Sequence, residues 1–315
     1  MKHGPGDTDI PSAPGSRTWW NGWLGADEDS AGKWSVHKPR RYSAFGVAGE
    51  LQTITLRSFG SQLDAELFRP DGALEGPLIV VPFYETATVF GRSSARTGHS
   101  QLWPRAHGLH LAQHGLCVLA VPWWFEQEGT KRQPSASQSL SERYGPAAEL
   151  HNRHHVNTPL GRSIADLKLA VSAVLSEGLG ARDHIAAFGH SLGAKLALHL
   201  TALDTRVTLA AVHEPGLGLA YSNWDAPWYL GARQPSGRDH DDLIRLIAPR
   251  PLLLAGGGAS DGEHNRNLIN RASARARPQS RTVTLYHNAG HSLPFFVMAA
   301  IRTWLAEQLD PDKPA

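Results

Sequence analysis

Residues 184–200, HIAAFGHSLGAKLALHL, decide the fold of this chain. An apolar run leads into the pentapeptide G-H-S-L-G, and an amphipathic run follows it, which predicts a strand, a sharp turn and a helix. In that context a G-x-S-x-G turn lifts its serine hydroxyl above the edge of a sheet. Because side chains crowd such a turn, Gly189 and Gly193 supply the bare positions it needs. The stretch therefore predicts an exposed nucleophile at Ser191, with a plain helix-capping serine as the alternative.

Strand and helix signals alternate on both sides of this stretch. Two runs around Gly60 predict an antiparallel hairpin. The predicted strands are Glu50–Phe59, Gln62–Phe68, Leu78–Pro82, Leu116–Val121, His184–Phe188, Val207–Val212, Pro251–Ala255 and Thr282–Tyr286. Helical periodicity marks Gln101–His114, Arg162–Ser176 and Pro294–Leu309. This order predicts an α/β fold: a mostly parallel eight-stranded sheet with an N-terminal antiparallel hairpin and helices on both faces.

The composition is that of an ordinary globular protein. With 315 residues, of which 41% are hydrophobic, the sequence is long enough for one large domain with a sizeable core. A formal net charge of +2 gives no electrostatic case for binding nucleic acid. The single cysteine, Cys117, excludes an intrachain disulfide. No signal-like or membrane-spanning run is present, so the expected location is the cytoplasm, away from membranes.

The chain is predicted to consist of an N-terminal arm, residues 1–40, and a catalytic domain, residues 41–315. The arm carries four tryptophans, too many for a freely disordered tail, and we expect it to pack on the domain. Two long irregular stretches, Glu126–Pro159 and Gly216–Asp239, follow strands and are predicted to wall the site around Ser191. Trp124 and Trp224 are the aromatic candidates for substrate contact there.

A serine nucleophile needs a base and a carboxylate that orients the base. His291 follows a glycine after the last strand and is the predicted base, with His287 as its competitor. Two carboxylates follow strands and compete for the third position: Asp261, which is favoured, and Glu214.

The negatively charged oxygen of an acyl-transfer intermediate needs two preorganised donors. The backbone N–H of Leu192, at the helix start, is the first candidate. The second should follow the strand Leu78–Pro82, and since proline has no N–H, Tyr84 is the predicted donor and Phe83 the next choice.

The order of serine, acid and histidine resembles the α/β-hydrolase superfamily. Residues 247–254, IAPRPLLL, and residues 202–207, ALDTRV, are similar to stretches of its dienelactone-hydrolase-like and acetylxylan-esterase-like branch. The resemblance covers roughly Leu78 to Leu309. It implies a serine carboxylic-ester hydrolase rather than a dienelactone hydrolase, because the latter use a cysteine nucleophile.

A weaker resemblance links the chain to glucuronoyl esterases. Lys195, four residues after the serine, and Glu214 match two positions of that family, whereas the arginine that follows its serine is replaced by Leu192. The resemblance implies that Lys195 contacts substrate; an ordinary solvent-facing helix lysine is the alternative.

The predicted function is hydrolysis of a small-molecule or carbohydrate ester through an acyl-enzyme intermediate. The sequence carries no dinucleotide fingerprint, P-loop or zinc spacing, so no cofactor or metal is expected. An amidase or peptidase with the same triad and a non-catalytic binding protein of the same fold are the alternatives. The sequence leaves the oligomeric state open.

Overall fold

The computed structural model describes residues 15–29, 31–93, 102–131, 138–258, 261–275 and 281–310. Within these ranges, ten strands form one sheet. The strands are β1 (Lys33–Val36), β2 (Arg40–Ala44), β3 (Val47–Ser58), β4 (Ser61–Pro70), β5 (Leu78–Phe83), β6 (Cys117–Pro122), β7 (Ile185–His190), β8 (Leu209–His213), β9 (Leu252–Gly256) and β10 (Thr282–Tyr286).

The sheet runs in the order β1-β3-β4-β6-β5-β7-β8-β9-β10, with β2 also paired to β3. All pairs from β6 to β10 are parallel, and the pairs that involve β1 to β4 are antiparallel. The mostly parallel α/β sheet and its N-terminal hairpin are therefore confirmed, but the predicted count of eight strands is wrong. The two additional strands, β1 and β2, are short and largely polar, so they lack the apolar alternation that marks a strand in sequence.

Eleven α-helical segments lie in the described part of the chain. They are α1 (Arg17–Leu24), α2 (Thr86–Val89), α3 (Leu102–Arg105), α4 (His107–Ala112), α5 (Trp124–Thr130), α6 (Leu140–His154), α7 (Pro159–Ser176), α8 (Leu192–Leu203), α9 (His240–Ile247), α10 (Arg266–Arg275) and α11 (Phe295–Leu309). Successive residues of β5 show how the sheet separates two cores, because Val80 packs with α7 and α8 whereas Val81 packs with α4 and α11. Helices thus cover both faces, as predicted.

The predicted irregular stretch Glu126–Pro159 is largely helical in the part that the structure describes; residues 132–137 lie outside it. It contains most of α5 and the whole of α6. A capping box begins α6, in which the Ser139 hydroxyl accepts from the Glu142 N–H and the Glu142 carboxylate accepts from the Ser139 N–H. The apolar periodicity did not predict this helix because the segment has few apolar residues and contains Pro146. The second stretch, Gly216–Asp239, consists of turns and bends, as predicted.

The described part of the N-terminal segment is built into the core. The Ser16 hydroxyl caps α1, and Trp19 and Trp20 are buried against the face that α7 and α8 cover. The Arg17 guanidinium donates to the Ala202 carbonyl at 2.8 Å, which attaches α1 to the end of α8. Burial of this kind makes α1 a structural element of the domain.

No helix in the described ranges combines the length and the apolarity needed to cross a bilayer.

Candidate active site

The turn between β7 and α8 holds Ser191 in a conformation that few residues adopt. Its φ of 56° and ψ of −118° lie outside the regions that L-residues prefer. A Cβ on Gly189 would lie 2.1 Å from the Gly193 carbonyl carbon, and one on Gly193 would lie 2.3 Å from the Pro82 carbonyl oxygen. Only glycine fits at either position, so the crowded turn inferred from the sequence is the turn that forms.

His291 reaches Ser191 from the loop that follows β10. Its Nε2 lies 2.8 Å from the Ser191 Oγ, which is hydrogen-bond distance. Gly290, which precedes it, has a φ of 73°, in the left-handed region that favours glycine. His287, the competing base, lies elsewhere: its Nε2 is 2.8 Å from the Nε2 of His213.

Glu214 occupies the position beside His291. Its Oε2 lies 3.2 Å from the His291 Nδ1, and its Oε1 accepts from the backbone N–H groups of Gly257 at 2.6 Å and Gly258 at 2.9 Å. Burial by itself raises the pKa of this carboxyl, but the hydrogen bonds from His291 and the two glycines outweigh burial, so the pKa is lowered. The side chain is fully buried, and these hydrogen bonds hold it as a carboxylate in one orientation.

Asp261, the favoured candidate in the sequence, does not lie against His291. Its carboxylate accepts from the backbone N–H groups of Gly216 at 2.5 Å and Leu217 at 2.8 Å, and from the Asn265 amide at 2.7 Å. Burial raises the pKa of Asp261 to about 6 in spite of these bonds. The preference for Asp261 over Glu214 is therefore corrected by the geometry: Asp261 anchors the loop that follows β8.

The two candidate oxyanion donors lie at the same end of the sheet. Leu192 is the first residue of α8, where backbone N–H groups lack partners within the helix. Tyr84 directly follows β5, lines the cavity beside Ser191, and packs its ring edge-on against Trp123. Both residues thus lie where the sequence placed them, and their role as donors stays a prediction.

A cavity of about 470 Å³ opens beside Ser191. Described residues from four segments line it: Phe83, Tyr84, Pro104, Arg105, His107, His190, Ser191, His291, Ser292 and Leu293. The two long stretches predicted as walls contribute none of these residues. The walls come instead from α3, the start of α4 and the segment after His291.

Trp124, Trp224 and Lys195 lie away from this lining, contrary to the sequence expectation. Trp124 faces a separate cavity of about 560 Å³, where its ring stacks on the Arg162 guanidinium at 3.9 Å. Trp224 is buried beneath α8, and its ring centroid is 3.7 Å from the Lys195 Nζ. Lys195 is itself buried and donates to the Ser222 hydroxyl at 3.0 Å, so it is neither solvent-facing nor at the cavity wall. Burial lowers the pKa of Lys195 to about 7.

Three further histidines adjoin the triad, and two of them, His190 and His213, were not identified from the sequence. His190 and His213 end β7 and β8, and their Nδ1 atoms are 2.9 Å apart; His287 follows β10 and bonds to His213. Each histidine ends or follows a strand at the same sheet edge, which is the signal that was available in the sequence. The His190 ring lines the cavity, 5.2 Å from the His291 ring.

The strand order and the serine turn between β7 and α8 define an α/β-hydrolase fold. Solved structures agree with this assignment. A glucuronoyl esterase from Solibacter usitatus matches with a TM-score of 0.66 at 12% identity, covering 96% of this chain and 100% of that one. A CE15 glucuronoyl esterase from Teredinibacter turnerae matches at 0.63 and 15% identity, covering 94% and 86%.

A protein assigned as an acetyl xylan esterase, from Bacteroides fragilis, matches with a TM-score of 0.63 at 16% identity, covering 93% of this chain and 88% of that one. Neither a protein-family model nor a curated protein sequence matches the chain. At these identities the comparisons establish the shared fold.

Proposed function

We propose that this protein is a serine hydrolase that cleaves carboxylic esters through an acyl-enzyme intermediate. The observation that carries the proposal is one continuous hydrogen-bonded series. It runs from the Ser191 Oγ to the His291 Nε2 over 2.8 Å, and from the His291 Nδ1 to the Glu214 Oε2 over 3.2 Å. A nucleophile, a base and a buried carboxylate in this order are the groups that acyl transfer needs.

The proposed reaction begins when the Ser191 Oγ attacks the ester carbonyl carbon and its proton moves to the His291 Nε2. Glu214 keeps the Nδ1 of His291 protonated and stabilises the imidazolium that forms. The N–H groups of Leu192 and Tyr84 donate to the carbonyl oxygen as it becomes negative. The alcohol then leaves with the proton from His291, and water repeats the sequence on the acyl-serine to release the acid.

The structural neighbours support an ester as the substrate class, since those compared above are named as esterases of glucuronoyl and acetyl xylan groups. A cavity of about 470 Å³ suits a small-molecule or monosaccharide ester. Arg105 in its wall supplies a cation to the site. A cytoplasmic location remains part of the proposal.

Replacing Ser191 with alanine tests the proposal. We expect Ser191→Ala to abolish hydrolysis of p-nitrophenyl acetate and labelling by a fluorophosphonate probe, with an unchanged far-UV circular dichroism spectrum. Ser292→Ala, which alters another serine of the same cavity, is the matched control and should keep most of the activity. Undiminished hydrolysis by a folded Ser191→Ala variant would overturn the proposal.

An amidase or peptidase would use the same three groups, and the substrate decides between them. Matched p-nitrophenyl ester and p-nitroanilide substrates compare the two reactions on one acyl group. We expect kcat/KM for the ester to exceed that for the anilide by several orders of magnitude. Labelling without turnover of either substrate would instead favour a binding protein that retains a reactive serine.

A further inference from the structure

Three imidazoles form a hydrogen-bonded row beside the triad, which we call the histidine row: His287, His213 and His190. The Nε2 atoms of His287 and His213 are 2.8 Å apart, and the Nδ1 atoms of His213 and His190 are 2.9 Å apart. These separations match direct N–H···N hydrogen bonds and leave no room for an ion between the rings.

One backbone amide determines the direction of every hydrogen bond in the histidine row. The Ala289 N–H points at the His287 Nδ1 over 3.1 Å, and an amide can only donate, so this Nδ1 accepts. A neutral His287 then carries its proton on Nε2 and donates to the Nε2 of His213. His213 consequently carries its proton on Nδ1 and donates to the Nδ1 of His190. His190 is left with its proton on Nε2.

Burial keeps His213 and His190, the two rings of the row nearest the triad, in their neutral form. His213 is fully buried between the other two rings, and His190 is half-buried. Burial, reinforced by the neighbouring histidines, lowers the pKa of His213 to about 2. Burial likewise lowers the pKa of His190 to about 3. A neutral imidazole has one donor nitrogen and one acceptor nitrogen. Each ring of the row therefore accepts at one nitrogen and donates from the other, in the direction that the Ala289 amide sets.

We propose that the histidine row positions His190 as an obligatory hydrogen-bond donor, through its Nε2–H, to an oxygen of the ester substrate. This inference rests on the proposed ester hydrolysis and deepens it. The Nδ1 of His190 is already bonded to His213, and the ring lines the cavity, so its Nε2–H is the donor that remains for a ligand. The ring lies 5.2 Å from that of His291, the group that protonates the leaving oxygen. The favoured substrates are esters whose alcohol carries a second oxygen a few bonds from the scissile one, as polyols and sugars do.

The tautomers can be measured without any turnover. Two-bond ¹H–¹⁵N correlation spectra of ¹⁵N-histidine-labelled protein at pH 7 separate Nε2–H from Nδ1–H imidazoles. The three signals are assigned by their loss in His190→Phe, His213→Gln and His287→Phe. We expect His213 as the Nδ1–H tautomer between two Nε2–H neighbours. Any other tautomer, or a cationic ring in the row, overturns the proposal.

Kinetics test the donor with two acetates of equal chain length, 2-methoxyethyl acetate and butyl acetate, which differ by one ether oxygen in place of a methylene. The quantity compared is the ratio of their kcat/KM values, measured by pH-stat titration. One neutral hydrogen bond corresponds to roughly a three- to tenfold effect. We expect His190→Phe to lower the methoxyethyl-to-butyl ratio by that factor, and His190→Gln serves as a second variant if phenylalanine impairs folding. An unchanged ratio overturns the donor role.

The far end of the row provides the test of positioning. His287→Phe removes the donor to His213 and should lower the same ratio, although residue 287 is two rings away from the substrate. His287→Gln offers an acceptor to Ala289 and a donor to His213, so it should restore the ratio. His114→Gln, at an exposed position two residues after α4, is the matched control and should leave the ratio unchanged.

A ratio that falls in His190→Phe but not in His287→Phe overturns the role of the row. If wild-type protein hydrolyses neither ester and is not labelled by the fluorophosphonate probe, the proposed function fails. The tautomer measurement still tests the hydrogen-bond directions of the histidine row in that case.

Discussion

Replacing Glu214 with glutamine isolates the negative charge that faces His291. The side-chain oxygen that takes the Oε1 position is bound by two backbone donors, Gly257 and Gly258, at 2.6 and 2.9 Å. In Glu214→Gln those donors keep the amide oxygen in place, so the amide NH₂ must take the Oε2 position. It then donates to the Nδ1 of His291, which moves the imidazole proton to Nε2. An imidazole protonated there donates to Ser191 and no longer accepts its proton.

The magnitude follows from the length of the bond that is lost. The equivalent aspartate-to-asparagine change in a serine protease lowers kcat about 10,000-fold through the same error in tautomer. The Nδ1–Oε2 distance of 3.2 Å exceeds the roughly 2.8 Å that is typical of a charge-assisted hydrogen bond. We therefore expect a smaller loss in kcat, about 1,000-fold, which corresponds to about 4 kcal/mol in activation free energy. Because the pKa of Glu214 is lowered, the wild-type group stays charged, and the loss should be constant between pH 6 and 8.

The assay is steady-state hydrolysis of p-nitrophenyl acetate, with Asp261→Asn as the matched control. Asp261 accepts from two backbone donors in the loop after β8 and from the Asn265 amide, so its amide variant should lower the melting temperature while kcat stays within about tenfold of wild type. The reasoning is refuted if the two results are exchanged: a Glu214→Gln enzyme near wild-type kcat beside an Asp261→Asn enzyme that is folded and inactive.

Three further outcomes are expected. Gly189→Ala places a Cβ 2.1 Å from the Gly193 carbonyl carbon, so the variant should lose both activity and a cooperative thermal transition; an active, stable variant would contradict the packing of the turn. Burial lowers the pKa of Lys195 to about 7 from 10.5, so the folded chain binds fewer protons than the unfolded one in that interval, and stability rises with pH by at most about 1.4 kcal/mol per unit. Lys195→Met should remove this part of the rise in urea unfolding between pH 7 and 9, and equal slopes for variant and wild type would count against it. Trp20→Ala should lower the free energy of unfolding by about 3–5 kcal/mol, because its ring is buried in the core between the sheet and helices α7 and α8. A change below about 1 kcal/mol would show that α1 is not part of that core.

The serine turn and its histidine could be predicted from the sequence, because each is marked by a few residues that are close together in the chain. The crowding that requires Gly189 arises within the turn itself, against the backbone of Gly193, whereas Gly193 is required by the Pro82 carbonyl of β5. The pentapeptide pattern predicted both glycines because they occur together in such turns. His291 follows Gly290 at the end of the last strand, and the order of strands brings that end to Ser191. The alternation of strands and helices likewise predicted the fold class, whereas the polar strands β1 and β2 and the capped helix α6 left weaker signals.

The acid of the site was decided by the tertiary structure alone. Glu214, after β8, binds the amides of Gly257 and Gly258 in the loop after β9, while Asp261, from the β9 loop, binds the amides of Gly216 and Leu217 after β8. Each carboxylate is thus held by the loop of the other strand. No local sequence pattern indicates which loop binds which carboxylate, because this depends on the parallel register of neighbouring strands.

The same reason applies to the histidine row and to the cavity wall. His190, His213 and His287 come from three strands, and their hydrogen bonds exist only because the carboxyl ends of those strands meet at one edge. The sequence by itself determined which chemistry could be built at that edge. The packing of the sheet decided which carboxylate faces His291 and which side chains line the cavity, since both depend on distances between residues far apart in the chain.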